Sequence, residues 1–209
     1  MSVRSWSFSV VLSVAGLCAT LAPASVDAAD AARGKTLAYT CLGCHGVEGY
    51  KNAFPVYRVP KLSGQHPEYI VQALKAYQSG ERSHATMAAH AASLSDQDMQ
   101  DMAAYLSGTP VKSAGAGAAT VGQPPAAAAT CQACHGRDGV GIMGTYPTLT
   151  GQYADYIEQA LGQYRSGARR NAIMQPFASQ LSPADIKAIA AYFSAQRPGL
   201  QSLVRGPAR

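Results

Sequence analysis

The stretch PKLSGQHPEYIVQALKAYQSGERSHATM, Pro60–Met87, is written again as PTLTGQYADYIEQALGQYRSGARRNAIM, Pro147–Met174. Fifteen of the 28 positions are identical without a gap, and the register continues: Leu94–Tyr105 matches Leu181–Tyr192 at the same offset of 87. Upstream, TCLGCHG (Thr40–Gly46) returns as TCQACHG (Thr130–Gly136), with three extra residues between motif and proline in the first copy. The chain must therefore fold as two similar modules of under 100 residues each. A module of that size buries too little surface to be comfortably stable alone, and such modules usually rely on a metal, a disulfide or a cofactor.

Both copies read as helical. Tyr69, Ile70, Ala73, Leu74 and Tyr77 recur at helix-face spacing, as do Tyr156, Ile157, Ala160, Leu161 and Tyr164. The final helix of each copy opens on a capping signal, Ser95 with Asp98 and Ser182 with Asp185, the second with Pro183 at the first helical position. Met99, Met102 and Leu106 give one apolar face, and Ile186, Ile189 and Phe193 the other. No alternating strand pattern occurs, so the expected fold class is all-α. Ser107–Ala129, rich in Gly, Ala and Pro, reads as a linker. The expected division is a signal peptide over 1–28, a first module over 29–107, a linker over 108–129 and a second module over 130–209.

The leader reading rests on Arg4, an apolar run from Phe8 to Ala22 and a cleavage site at Val26-Asp27-Ala28. The run is short for a transmembrane helix, which needs ~20 residues, and an uncleaved anchor is the alternative. Cleavage removes Cys18 and leaves four cysteines, all inside the two motifs. Charged residues make up 14% of the chain, against a typical ~25%. From Ala29 to Thr109 seven Lys/Arg face seven Asp/Glu, whereas from Pro110 onward nine face four. The positive residues are scattered, so nucleic acid is not expected as a partner, and the asymmetry reads as a docking field.

A C-x-x-C pair alone admits a redox dithiol, but that chemistry wants strand–helix alternation. A zinc ribbon places its pairs ~15–20 residues apart; these are 90 apart. C-x-x-C-H with the histidine adjacent is the attachment motif of covalent c-type haem. One helical turn carries both thiols to one porphyrin edge and sets the imidazole beneath the iron. Two copies predict two covalently bound haem c groups, attached through Cys41, Cys44, Cys131 and Cys134 and ligated by His45 and His135.

The sixth ligand should occur at equivalent positions. His66 aligns with Tyr153, His84 with Asn171 and His90 with Phe177, so no further histidine recurs. Met99 and Met102 align with Ile186 and Ile189, which marks them as core. Met87 and Met174 align with each other, in stretches (SHATMAAH and NAIMQPFA) that read as loops before the capped helix. They are the expected axial ligands, with His84 and His90 as runners-up in the first module.

This order of motifs, CxxCH, P-x-L-[ST]-G-Q, Y-I-x-Q-A-L, S-G-x-R, Met and L-S-x-x-D leading to A-A-Y, resembles cytochrome c4 from Asp30 to about Gln196. The resemblance implies two class I cytochrome c modules, His/Met ligation at both irons and a periplasmic, often membrane-associated electron carrier. It also implies that the carbonyls of Pro60 and Pro147 accept the Nδ1–H of His45 and His135, fixing the tautomer. Arg82 and Arg169 are candidate contacts of the haem propionates, with ordinary surface positions the alternative. One departure stands out: Gly122-Gln123-Pro124-Pro125 precedes the second motif, and paired prolines cannot sit inside a helix. The N-terminal helix there should be shorter or displaced.

A six-coordinate His/Met haem has no open iron position, so the function expected is single-electron transfer without catalysis. The donor would be a quinol-oxidising complex or a periplasmic dehydrogenase, and the acceptor a terminal oxidase or reductase. The alternatives are a haem subunit of a dehydrogenase, and a small dihaem peroxidase or sulfur-oxidising enzyme.

Overall fold

The computed structural model describes residues 28–113, 115 and 120–203; the expected signal sequence before Ala28 lies outside them. Among the described residues the structure is helical, with isolated bridges and no strand. No described helix is long and apolar enough to cross a membrane.

The first module holds α1 (Ala31–Leu37), α2 (Leu42–His45), α3 (Pro67–Gln78), α4 (Ala85–Ala91) and α5 (Asp96–Ser107). The second holds α6 (Gln132–His135), α7 (Ala154–Ser166), α8 (Met174–Ser179) and α9 (Pro183–Ala195). In each, a long helix packs against the final helix, α3 on α5 and α7 on α9. The periodic faces do this work: Ile70, Leu74, Met99, Met102 and Leu106 are buried together, as are Ile157, Leu161, Ile186, Ile189 and Phe193. Both final helices start on the expected capping box, Ser95 with Asp98 and Ser182 with Asp185, which satisfies two otherwise unpaired donors at each end.

The modules differ where the prolines predicted they would. Asp30 caps α1 and its own N–H donates to Asp101 of α5, while Arg33 pairs with Asp98 and Asp101. Gly34 lies directly on the Asp101 carbonyl, letting α1 and α5 touch backbone to backbone. In the second module, among the described residues, a 3-10 turn at Ala126–Ala128 is the one helical element before α6. Its Ala128 is fully buried like Ala38 in the first module, so one point of the contact survives. The rest is replaced by an extended clamp. The Gln196 amide, buried at the end of α9, accepts from the Val121 N–H at 2.8 Å and donates to the Val121 carbonyl at 2.9 Å.

The modules meet through the same residues used in both directions, so a pseudo-two-fold axis runs between them. Gln65 bonds the backbone of Thr148, and its counterpart Gln152 bonds the backbone of Lys61. Arg82 donates to the Tyr156 hydroxyl at 2.6 Å, and Arg169 to the Tyr69 hydroxyl at 2.8 Å. Arg58 pairs with Asp155 at 3.1 Å on the rim. After α9 the chain turns back to the first module. Ser63 and Gln201 exchange backbone bonds, and Leu203 packs on the first core. Gly151 and Gly199 make the return possible, since a Cβ on Gly151 would stand 2.8 Å from the Gly199 Cα.

Candidate haem sites

Each CxxCH segment forms one short helical turn. In the first module a 3-10 turn over Ala38–Cys41 leads into α2, so Cys41, Cys44 and His45 lie on consecutive turns of one helical path. Cys131, Cys134 and His135 repeat this through α6. All four motif sulfurs are partly buried, and none is paired in a disulfide among the described residues.

Both histidines are buried, and each ring is held by a proline carbonyl. His45 Nδ1 lies 2.8 Å from the Pro60 carbonyl and His135 Nδ1 lies 2.9 Å from the Pro147 carbonyl. A carbonyl can only accept, so Nδ1 carries the proton and Nε2 keeps its lone pair. Burial lowers both imidazole pKa values, that of His45 to about 4, with the proline carbonyl opposing. The rings are therefore neutral at pH 7, the form that ligates a metal.

Met87 and Met174 lie not in loops but in short helices. Met87 is inside α4 and Met174 opens α8; both are half-buried against the core of their own module. His84 is the N-cap of α4, whereas α8 has Ile173 at its N-cap and no side-chain cap bond of its own. His84 Nδ1 accepts the Met87 N–H at 3.3 Å, and Asn171 Oδ1 accepts the Met174 N–H at 2.9 Å. His84 and Asn171, aligned in the two copies, thus each accept the N–H of the aligned methionine. His90 is exposed in the last turn of α4, and His66 Nε2 bonds the Gly141 carbonyl.

The donor set fits haem. Each module offers two thiols and a neutral imidazole on one helical path, with a thioether on the same core. Exposed apolar side chains flank these positions, Val47 two residues past His45 and Ile173 beside Met174. Among the described residues no three His, Cys, Asp or Glu side chains converge to hold a bare metal ion.

Arg82 and Arg169 are buried between the modules, not on the surface. Each guanidinium stacks on a tyrosine of its own module, Arg82 4.4 Å above Tyr77 and Arg169 4.5 Å above Tyr164. No carboxylate pairs with either among the described residues. Burial holds the Tyr77 and Tyr164 phenols neutral at pH 7, so the stacked rings supply no negative charge. The Thr148 hydroxyl, on the residue after Pro147, is buried without a partner. Motif spacing alone assigns no role to Gln65 or Gln152 and marks Tyr69 and Tyr156 only as helix-face positions. A signal for them existed: each pair is identical in both copies, although the glutamines serve no helix face.

The family described as "Cytochrome c" matches residues 31–110, and "Cytochrome C oxidase, cbb3-type, subunit III" matches residues 118–193. Cytochrome c4 of Pseudomonas aeruginosa is 35% identical over 179 residues, covering 79% of this chain and 88% of that protein. A protein named thiosulfate dehydrogenase electron acceptor, from Stutzerimonas stutzeri, is 31% identical over 87% of this chain and 93% of its own length. The crystal structure of reduced recombinant cytochrome c4 from Pseudomonas stutzeri superposes with a TM-score of 0.64 at 30% identity. It covers 81% of this chain and 100% of that one.

Proposed function

Because this chain belongs to the cytochrome c4 family of dihaem electron-transfer cytochromes, we propose that it is a periplasmic carrier that passes single electrons between redox proteins and catalyses no reaction of its own. Haem c supplies the one-electron couple, and the protein supplies burial, ligation and orientation.

The observation that carries this reading is the pairing of ligand candidates. His45 and His135 are held neutral with Nε2 available, and Met87 and Met174 are the methionines that recur. His45 with Met87, and His135 with Met174, would saturate both irons and leave no position for peroxide or a sulfur substrate. Cys41, Cys44, Cys131 and Cys134 would hold the two porphyrin edges. Arg82 and Arg169 would face the propionates. Two buried guanidiniums without a paired carboxylate are costly unless an anion lies beside them, and propionates are the anions a haem brings.

The donor is a quinol-oxidising complex or a periplasmic dehydrogenase, and the acceptor a membrane oxidase or reductase. The relative named thiosulfate dehydrogenase electron acceptor favours a second reading of the same chemistry, in which a dehydrogenase reduces this protein as its dedicated partner. The test is reduction of the purified holoprotein by candidate donors, followed by oxidation with native membranes. Fast transfer with negligible peroxide or thiosulfate turnover supports the carrier. One readily ligated haem with saturable turnover overturns it.

A further inference from the structure

Each histidine acceptor is one half of a peptide group whose other half is bonded across the module interface. The Pro60 carbonyl, 2.8 Å from His45 Nδ1, shares its peptide unit with the Lys61 N–H. That N–H donates at 3.0 Å to Oε1 of Gln152, in the second module. The reciprocal chain is equally complete. The Pro147 carbonyl lies 2.9 Å from His135 Nδ1, and the N–H of the same peptide, on Thr148, donates at 2.8 Å to Oε1 of Gln65, in the first module.

The glutamines are fixed. Each is buried, each Nε2 donates at 3.0 Å to the carbonyl of the residue it grips, and each Oε1 also accepts the N–H of its own following residue. Their amide orientation follows from these bonds, because the backbone partners allow only one assignment.

We propose that Gln65 and Gln152 are positioning residues that set, each across the interface, the electron donation of the other module's proximal histidine. This rests on the His45 and His135 ligation proposed above. The peptide group is conjugated, so an N–H that donates a hydrogen bond leaves its carbonyl more negative. A more negative carbonyl draws harder on the histidine Nδ1–H and makes the ring a stronger donor at Nε2. Stronger donation favours the ferric state and lowers the potential. Each haem is therefore held at a lower potential by the module that does not contain it. A partner that loosened the interface would raise both potentials together.

The test is crossed. In the full-length holoprotein, Gln152→Met should raise the potential of the first haem and leave the second unmoved; Gln65→Met should do the reverse. The expected change is about three- to tenfold in the ferric/ferrous equilibrium constant, tenfold being about 59 mV for one electron. Redox titration followed through the paramagnetically shifted methyl resonances of each haem separates the two. With histidines labelled by nitrogen-15, the His45 Nδ1–H should exchange faster in Gln152→Met while that of His135 keeps its rate. X-ray scattering reports whether the modules stay docked. Where Gln152→Met separates them, Gln152→Asn keeps both polar atoms at a longer reach and should give the same crossed shift in smaller measure. A shift in the mutated module's own haem, equal shifts in both with the modules docked, or no shift with an unchanged His45 exchange rate would each overturn the proposal. A failure of the His/Met assignment itself would already show in the unmutated protein, as missing methionine methyl resonances.

Discussion

Replacing Gly34 with alanine should damage one module and spare the other. A Cβ at position 34 would stand 1.9 Å from the Asp101 carbonyl oxygen and 2.4 Å from its carbon, where ordinary contact begins near 3.4 Å. Both neighbours are backbone of α5, so no side chain can swing away. Helix α1 must lift by about 1.5 Å. Overpacking of this kind costs ~1–3 kcal/mol, and a rigid obstacle puts the cost at the upper end. Alanine returns about 1 kcal/mol of helix propensity, for a net loss of about 2 kcal/mol. For a module of this size that corresponds to roughly 8–16 °C in Tm. The lift also strains the bonds of Asp30 and Arg33 to Asp101, and it moves the turn that leads into Cys41. The equivalent residue before the second motif is Pro124, where no such helix contact exists. Thermal unfolding of the holoprotein, read through the resolved methyl resonances of each haem, should show the loss in the first module. An unchanged Tm, or equal losses in both modules, would refute the packing argument.

Four further outcomes are expected. Intact mass should equal the processed chain plus two haems, and the haem should resist acid–acetone extraction. Met87→Ala and Met174→Ala should each remove about half of the weak red sulfur-to-iron absorption and lower one of two potentials; if a His84 or His90 variant does this instead, the first-module ligand is misassigned. Asp98 is held at about 2 from an ordinary 3.8 by Ser95 and Arg33. Its contribution to stability is full above about pH 4 and is lost as pH falls through 2, so Asp98→Asn should flatten that part of an acid-unfolding curve. Electron transfer to an acidic partner docking on the second module should slow with added salt, since surface charges are screened within ~10 Å at 0.1 M; a rate independent of salt argues against electrostatic docking.

The local features were legible in the amino-acid sequence because their chemistry is local. CxxCH needs one helical turn, S-x-x-D caps the helix it begins, and the period of Ile70, Leu74 and Tyr77 is that of the helix carrying them. Pro124 and Pro125 announced the shortened helix for the same reason: ring and absent N–H act on the residue itself. The duplication reached further. It paired Met87 with Met174 and reduced six methionines to two candidates.

Where it fell short, the deciding contact was a side-chain bond that periodicity does not encode, or it came from the other module. Loops were expected around Met87 and Met174, but His84 caps α4 and Asn171 Oδ1 accepts the Met174 N–H at the start of α8. Arg82 and Arg169 had no readable neighbours, because Tyr156 and Tyr69 come from the opposite module. Gln65 and Gln152 acquire their meaning only when a pseudo-two-fold axis sets each against the peptide after the other module's proline. A repeat shows that two surfaces are alike. Only the docked structure shows that they face each other, because packing two modules is a property of their shapes and not of either sequence copy.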